Sequence, residues 1–303
     1  MQHYWLLLPL MTLKQLEKYF IGELQFLYDD EEARQLYELT VYHVSGLNRS
    51  QVMFKTDMEP GETQQNSFEY VLAGLKAGRP LQHIIGEAWF CGLKFKVSNA
   101  VLIPRPETEE LVQWIMETAA GAEGLSLIDI GTGSGCIAVT LKSRLEGLQV
   151  DALDISAGAL CIARENAKGN AVEINFIQSD ILGYESLSSY DFIVSNPPYI
   201  TQAERKEMHM NVLSHEPHLA LFVSDENPLI FYQSIADFAL KQLRPKGYLF
   251  FEINEYFGKE MVDMLSSKEF TDIQLKKDMQ GKDRMIRCRQ PSTPGMEAGD
   301  DPL

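Results

Sequence analysis

Asn196-Pro197-Pro198-Tyr199 is the stretch of this chain best equipped for chemistry. The apolar run before it, Phe192-Ile193-Val194-Ser195, predicts a buried strand. Two adjacent prolines lack the amide hydrogens that a central strand needs, so the chain must leave the sheet here. Each proline also drives its predecessor toward extended backbone. The outcome is a stiff turn at the carboxyl end of a strand, with the Asn196 side-chain carbonyl and the Pro197 backbone carbonyl as fixed acceptors. Paired acceptors suit a planar NH2 group with both hydrogens engaged. Tyr199 supplies an aromatic wall for a flat group, or else packs its ring into the core.

A second constellation lies upstream. Asp129-Ile130-Gly131-Thr132-Gly133-Ser134-Gly135 follows a predicted strand and opens a predicted helix. Glycines there allow a tight turn and let a ligand come close to the backbone. Asp154 ends the next strand, about 20 residues on, where a carboxylate can bind ribose hydroxyls. Asp180 follows the third strand and can reach an adenine edge, with Ile181 packed on the ring. The glycines fall as G-x-G-x-G rather than the dinucleotide G-x-G-x-x-G, and an aspartate precedes them. That pattern resembles S-adenosyl-L-methionine-dependent methyltransferases, in which the acid before the glycines can hold the cofactor's amino-acid end.

These residues need a frame. From Leu125 onward, predicted strands alternate with predicted helices. The strands are Ser126–Ile130, Val150–Asp154, Glu173–Gln178, Phe192–Ser195, Tyr248–Ile253, Thr271–Lys276 and Arg284–Arg289. The helices are Cys136–Leu145, Ala157–Lys168, Pro228–Leu243 and Lys259–Ser267. Such alternation predicts an α/β domain with a largely parallel sheet of Rossmann type, spanning 106–290. Pro106 suits the first position of a helix running to Thr118. Residues 11–80 carry apolar positions at helical spacing and predict a small helical domain. Residues 81–105, with Trp89, Phe90, Phe95 and Val97 between Gly86, Gly92 and Ser98-Asn99, predict a hairpin-like linker. The stretch 291–303 has the composition of a disordered tail.

Composition narrows the partners. The chain has 303 residues and a formal net charge of −16, with no notable Lys/Arg run, which argues against stable gripping of a phosphate backbone. Cys91, Cys136, Cys161 and Cys288 have neither metal nor redox spacing and are expected to be reduced thiols of a cytoplasmic protein. The apolar start, Met1–Leu10, is too short to span a bilayer and lacks the basic region and cleavage site of a signal peptide. Met11 opens a more regular segment and is a candidate natural start. His209, His215 and His218 beside Glu216 match no zinc spacing, and no metal is expected. Arg105 has two roles open to it, a contact in the cofactor or substrate region and a structural ion pair such as one with Glu109.

Further motifs extend the likeness. Ile103-Pro104-Arg105-Pro106-Glu107-Thr108-Glu109, Gly86-Glu87-Ala88-Trp89-Phe90-Cys91-Gly92 and Glu216-Pro217-His218-Leu219-Ala220-Leu221, taken with Asn196-Pro197-Pro198-Tyr199, resemble the release-factor glutamine methyltransferases of HemK/PrmC type. The resemblance runs from Leu13 to Arg289. It implies a seven-stranded class I methyltransferase sheet, an N-terminal helical domain that helps hold the substrate, and N5-methylation of the glutamine in the Gly-Gly-Gln motif of class I peptide-chain release factors; the chain is separately expected to be a monomer. It also implies that Gly131 to Gly135, Asp154 and Ile181 bind the cofactor, that Asn196 to Tyr199 bind the glutamine, and that Asn196 sits beside the cofactor. Asn254 follows Glu252-Ile253 where many relatives have glycine. Two relatives in chemistry remain open here, N5-glutamine methylation of a ribosomal protein and adenine-N6 methylation of nucleic acid. A cofactor-binding regulator without catalysis is a third reading, against which the intact Asn196 turn speaks.

Overall fold

The computed structural model describes residues 10–201, 203–204 and 216–290. The apolar start up to Pro9, the histidines His209 and His215, and the predicted tail at 291–303 fall outside them. The chain divides into two compact units, with the boundary after Gly86.

The first unit is helical because capping and apolar spacing agree. Helix α1 (Leu13–Leu24) starts at Thr12 in a capping box, where Thr12 Oγ1 accepts from the Gln15 amide and the Gln15 side chain accepts from the Thr12 amide. Helix α2 (Asp30–Ser45) starts at Asp29 with three acids in its first turn, which suits the positive end of the helix dipole. Helices α3 (Arg49–Phe54), α4 (Glu62–Lys76) and α5 (Leu81–Ile85) follow. Leu16, Phe20, Tyr37, Phe68, Leu72 and Leu75 share one core, and the buried Tyr37 hydroxyl donates to the Leu13 carbonyl at 2.7 Å. Residues 81–85, which the sequence places in the linker, form the short helix α5 instead. Pro80 precedes it, left-handed Gly86 ends it, and Leu81 and Ile84 bury in the helical core.

The second unit opens with the antiparallel hairpin β1 (Glu87–Phe90) and β2 (Leu93–Lys96), turned at Cys91 and Gly92, both at positive φ. Phe90 is buried but Trp89 points outward, since strand side chains alternate; only half of that aromatic pair joins a core. Then come α6 (Pro106–Ala119), β3 (Ser126–Ile130), α7 (Cys136–Arg144), β4 (Gln149–Asp154), α8 (Ala157–Gly169), β5 (Asn175–Gln178) and β6 (Tyr190–Ser195). Two short strands, β7 (Ile200–Thr201) and β8 (Phe222–Val223), flank the helical turn α9 (His218–Leu221) in chain order. The chain continues through α10 (Ile230–Gln242), β9 (Leu243–Glu252), α11 (Gly258–Ser267), β10 (Thr271–Lys277) and β11 (Asp283–Arg289).

Seven strands form the main sheet in the order β10-β11-β9-β6-β3-β4-β5, with β11 antiparallel to both neighbours. Alternation along each strand feeds two cores. Leu127, Val194 and Phe250 face α6 and α7, whereas Ile128, Ile130, Ile193 and Phe251 face α10 and α11. All five residues of β3 are buried, as a central parallel strand covered on both faces requires.

Candidate functional site

Strand β4 lies on one side of β3 and β6 on the other, with Ile130 paired to Ser195 at the β3–β6 ends. A crevice must open beyond the carboxyl ends of strands at such a reversal of order. A cavity of about 470 Å³ lies there, and Gly131, Asp154, Asp180 and Asn196 all line it. Ile155, Ile181, Leu182, Phe231 and Ile235 give it apolar walls.

The glycine turn is held by backbone. The amides of Gly131 and Thr132 both donate to the Leu153 carbonyl, at 2.8 and 3.0 Å. Gly131, Gly133 and Gly135 all have positive φ, so the turn demands glycine on conformational grounds alone. Asp154 Oδ2 accepts from the Gly133 amide at 2.9 Å and Oδ1 from the Ser156 amide at 2.8 Å, which binds the tip of β4 to the turn. Burial raises the Asp154 pKa against these two amides. Thr132, Gly133 and Ser134 line the cavity, and Gly135 stands one step behind as the N-cap of α7.

Asp129 departs from expectation. It is fully buried, is not among the cavity-lining residues, and accepts the Thr132 hydroxyl on Oδ2 at 2.6 Å. Strand alternation sends it to the same face as Leu127, under the turn rather than into the crevice. Burial pushes its pKa up to about 7 despite the Thr132 hydrogen bond. Asp180 and Ile181 do line the cavity, and Asp180 Oδ1 accepts from the Leu182 amide, which shapes that rim.

Asn196, Pro197 and Pro198 line the cavity beyond β6, whereas Tyr199 does not. The turn directs the Tyr199 ring back onto the α10-side core, and its hydroxyl donates to Glu252 Oε1 at 3.3 Å. Of the two readings open to Tyr199 this geometry matches the core packing, because a buried phenol seeks an acceptor and the end of β9 offers a carboxylate. Glu252 Oε2 accepts the Thr108 hydroxyl at 2.6 Å, and Thr108 Oγ1 in turn accepts from Asn196 Nδ2 at 3.4 Å. Burial raises the Glu252 pKa, opposed by Thr108, Arg284 and Tyr199. Asn254, the departure noted in the sequence, donates from Nδ2 to the Tyr199 carbonyl at 3.1 Å and to Glu204 at 2.9 Å. It therefore braces the same turn.

Arg105 pairs with Glu216 at 2.6 Å, not with Glu109, whose Oε1 accepts from the Cys91 amide. Glu216 is buried, which raises its pKa in the face of the Arg105 charge. Arg105, Pro217 and Ala220 line the cavity, so this ion pair ties two segments of its wall together. Thr108 and Glu252 are the site residues that sequence reasoning misses. Thr108 lies inside a quoted motif and Glu252 precedes the noted Asn254, but nothing local pairs the two, which are 144 positions apart.

Comparison with known proteins identifies the family. The PrmC N-terminal domain profile matches residues 18–86 and the Methyltransferase small domain profile matches 108–221. The release factor glutamine methyltransferase of Flavobacterium psychrophilum is 43% identical, with 91% of this chain and 99% of that one covered. Its counterpart in Bacteroides thetaiotaomicron is 41% identical, covering 92% of this chain and all of that one. Among solved structures, the hMettl16 catalytic domain in complex with a MAT2A 3′UTR hairpin is similar in fold, with a TM-score of 0.54, 18% identity, and coverage of 73% of this chain and 84% of that one.

Proposed function

The chain belongs to the release factor glutamine methyltransferase family, and from that membership we propose how its cavity divides the work. The protein is an S-adenosylmethionine-dependent methyltransferase that acts on a release-factor glutamine. The finer assignment is to N5 of the glutamine in the Gly-Gly-Gln motif of class I peptide-chain release factors. The helical unit, residues 11–86, is assigned to holding that protein substrate.

Two observations support seating the cofactor at the glycine turn. A Cβ built at Gly131 or Gly133 would meet no protein atom closer than 4.0 Å, so the room beside them suits a ligand. Polar groups, Asp154 and Asp180, share the cavity with apolar Ile155, Ile181 and Leu182, matching a ligand with sugar hydroxyls and a flat ring. Thr132, Gly133 and Ser134 then border its amino-acid end, with Asp129 supporting the turn from beneath. Bound there, S-adenosylmethionine supplies an electrophilic methyl group on a sulfonium.

The chain's own contribution is positioning. An amide nitrogen is a weak nucleophile because its lone pair is delocalised into the carbonyl. Asn196 Oδ1 and the Pro197 carbonyl accept its two hydrogens, hold the nitrogen still, and favour the positive charge that grows on it. The same acceptors offer a path for the departing proton, so no dedicated general base is required. The observation that carries this reading is the engagement of Asn196 Nδ2 by Thr108, which leaves Oδ1 for the substrate.

Of the two chemical relatives, glutamine methylation of a ribosomal protein is disfavoured by the PrmC N-terminal domain match, since the substrate-selecting half is where such enzymes differ. Adenine methylation is disfavoured by the net charge of −16. We assign the reaction to the cytoplasm, because the substrate is a translation factor, and to a single copy of the chain. Mass spectrometry of release factor incubated with enzyme and S-adenosylmethionine tests this. One added methyl group on the Gly-Gly-Gln peptide is expected; methylation elsewhere, or of nucleic acid alone, would overturn it.

A further inference from the structure

We propose that the buried Glu252 carboxylate, acting through the Thr108 hydroxyl, sets the direction in which the Asn196 carboxamide faces; this rests on the role argued above for Asn196. Glu252 accepts on both oxygens, Oε2 from the Thr108 hydroxyl and Oε1 from the Tyr199 hydroxyl, and a hydroxyl has one hydrogen to give. Thr108 spends that hydrogen on Glu252 Oε2 at 2.6 Å, so toward Asn196 its oxygen can only accept. The Asn196 amide must then turn its NH2 to Thr108, at 3.4 Å, and its carbonyl away. A reversed amide would place two oxygens against each other with no hydrogen between them. Thr108 and Glu252 are 2% and 1% exposed, so a partner lost from this chain is not readily replaced by bulk water.

The same carboxylate grips the other end of the turn. Glu252 Oε1 accepts the Tyr199 hydroxyl at 3.3 Å while Oε2 reaches Asn196 by way of Thr108. One side chain at the tip of β9 thus holds both ends of the four-residue loop beyond β6. Three elements converge to do this, namely the first turn of α6, the end of β6 and the end of β9. Thr108 and Glu252 are positioning residues in this scheme, and the acceptor they aim belongs to Asn196.

The test is a mutant cycle with release factor as substrate. Thr108→Val removes the hydroxyl at nearly constant volume and should lower kcat about tenfold, one hydrogen bond's worth, with little change in the KM for release factor. Thr108→Ser restores the hydroxyl and should restore kcat. Combined with Asn196→Ala, Thr108→Val should cost nothing further, because its effect passes through the missing amide. If the valine variant is destabilised, Thr108→Ala makes the same deletion without pressing a methyl group against the Glu252 carboxylate. A wild-type kcat in the variants lacking the hydroxyl, or an undiminished loss on top of Asn196→Ala, would overturn the proposal. Full activity in Asn196→Ala alone would instead defeat the underlying role of Asn196, so the two failures are distinct.

Discussion

Asn196 is useful because so little freedom is left to it. Pro197 fixes the backbone that follows, and Thr108 engages one face of its amide. Replacing it by alanine removes one of two acceptors and leaves the turn in place. We expect a loss in kcat on the order of 10²–10³, by analogy with single-donor deletions in oxyanion holes, with thermal stability kept. Asn196→Asp retains an oxygen but cannot donate to Thr108. It should fail too, which steady-state kinetics on release factor will show; wild-type turnover would mean that the NH2 anchoring is dispensable. At this scale the sequence is explicit about the turn and silent about its supports. The Asn-Pro-Pro-Tyr string is local, whereas the Thr108–Glu252 bond spans 144 positions and exists only when α6 and β9 meet. Tyr199 shows the same limit, since nothing in its neighbours says whether its ring faces the cavity or the core.

At the scale of elements, the glycine turn joins β3 to α7 and sets where that helix begins. Gly135, at φ +79°, is its N-cap, and a Cβ there would lie 3.2 Å from Ala163 Cβ on α8. Gly135→Ala should therefore destabilise the unit by about 1–2 kcal/mol through the left-handed backbone alone, with a further contribution from the crowded α7–α8 contact. Differential scanning calorimetry should show a fall of a few degrees in Tm, accompanied by a higher KM for S-adenosylmethionine. An unchanged Tm would mean that the backbone rearranges freely there. The strands of the main sheet and the helices between them were legible to within a few residues, apart from β9, which begins at Leu243 rather than Tyr248, whereas the short β7, α9 and β8 were not read from the sequence. Central parallel strands are buried on both faces and read as apolar runs, and the helices between them, α8 with its Ser156 cap among them, follow strands that end on turn-forming residues. Helix α5 was not legible, because its five residues are too few to display a period.

Across the whole molecule, buried acids give stability a direction with pH. Burial raises the pKa values of Asp129, Asp154, Glu216 and Glu252, whose carboxylates are ordinary acids in the unfolded chain. For Asp129 the folded value is about 7 against 3.8, so between those values the folded state holds a proton that the unfolded state has released. Stability from this group is greatest below about pH 4 and declines as pH rises toward 7. Asp129→Asn should flatten that decline, so Tm measured across this range should fall less in the variant than in the wild type. Parallel curves would show that Asp129 is ionised throughout.

Residue type and order were enough to determine the alternating α/β frame, the glycine turn, the acidic strand tips and the proline-stiffened loop, because each depends on short-range sterics and on which faces are apolar. The tertiary structure alone decided that Asp129 lies beneath the turn, that Tyr199 points into the core, and that one carboxylate from β9 holds both ends of the loop. Those outcomes depend on which groups become neighbours once water is excluded. A buried hydroxyl or carboxylate must then take whatever partner the packing brings within reach.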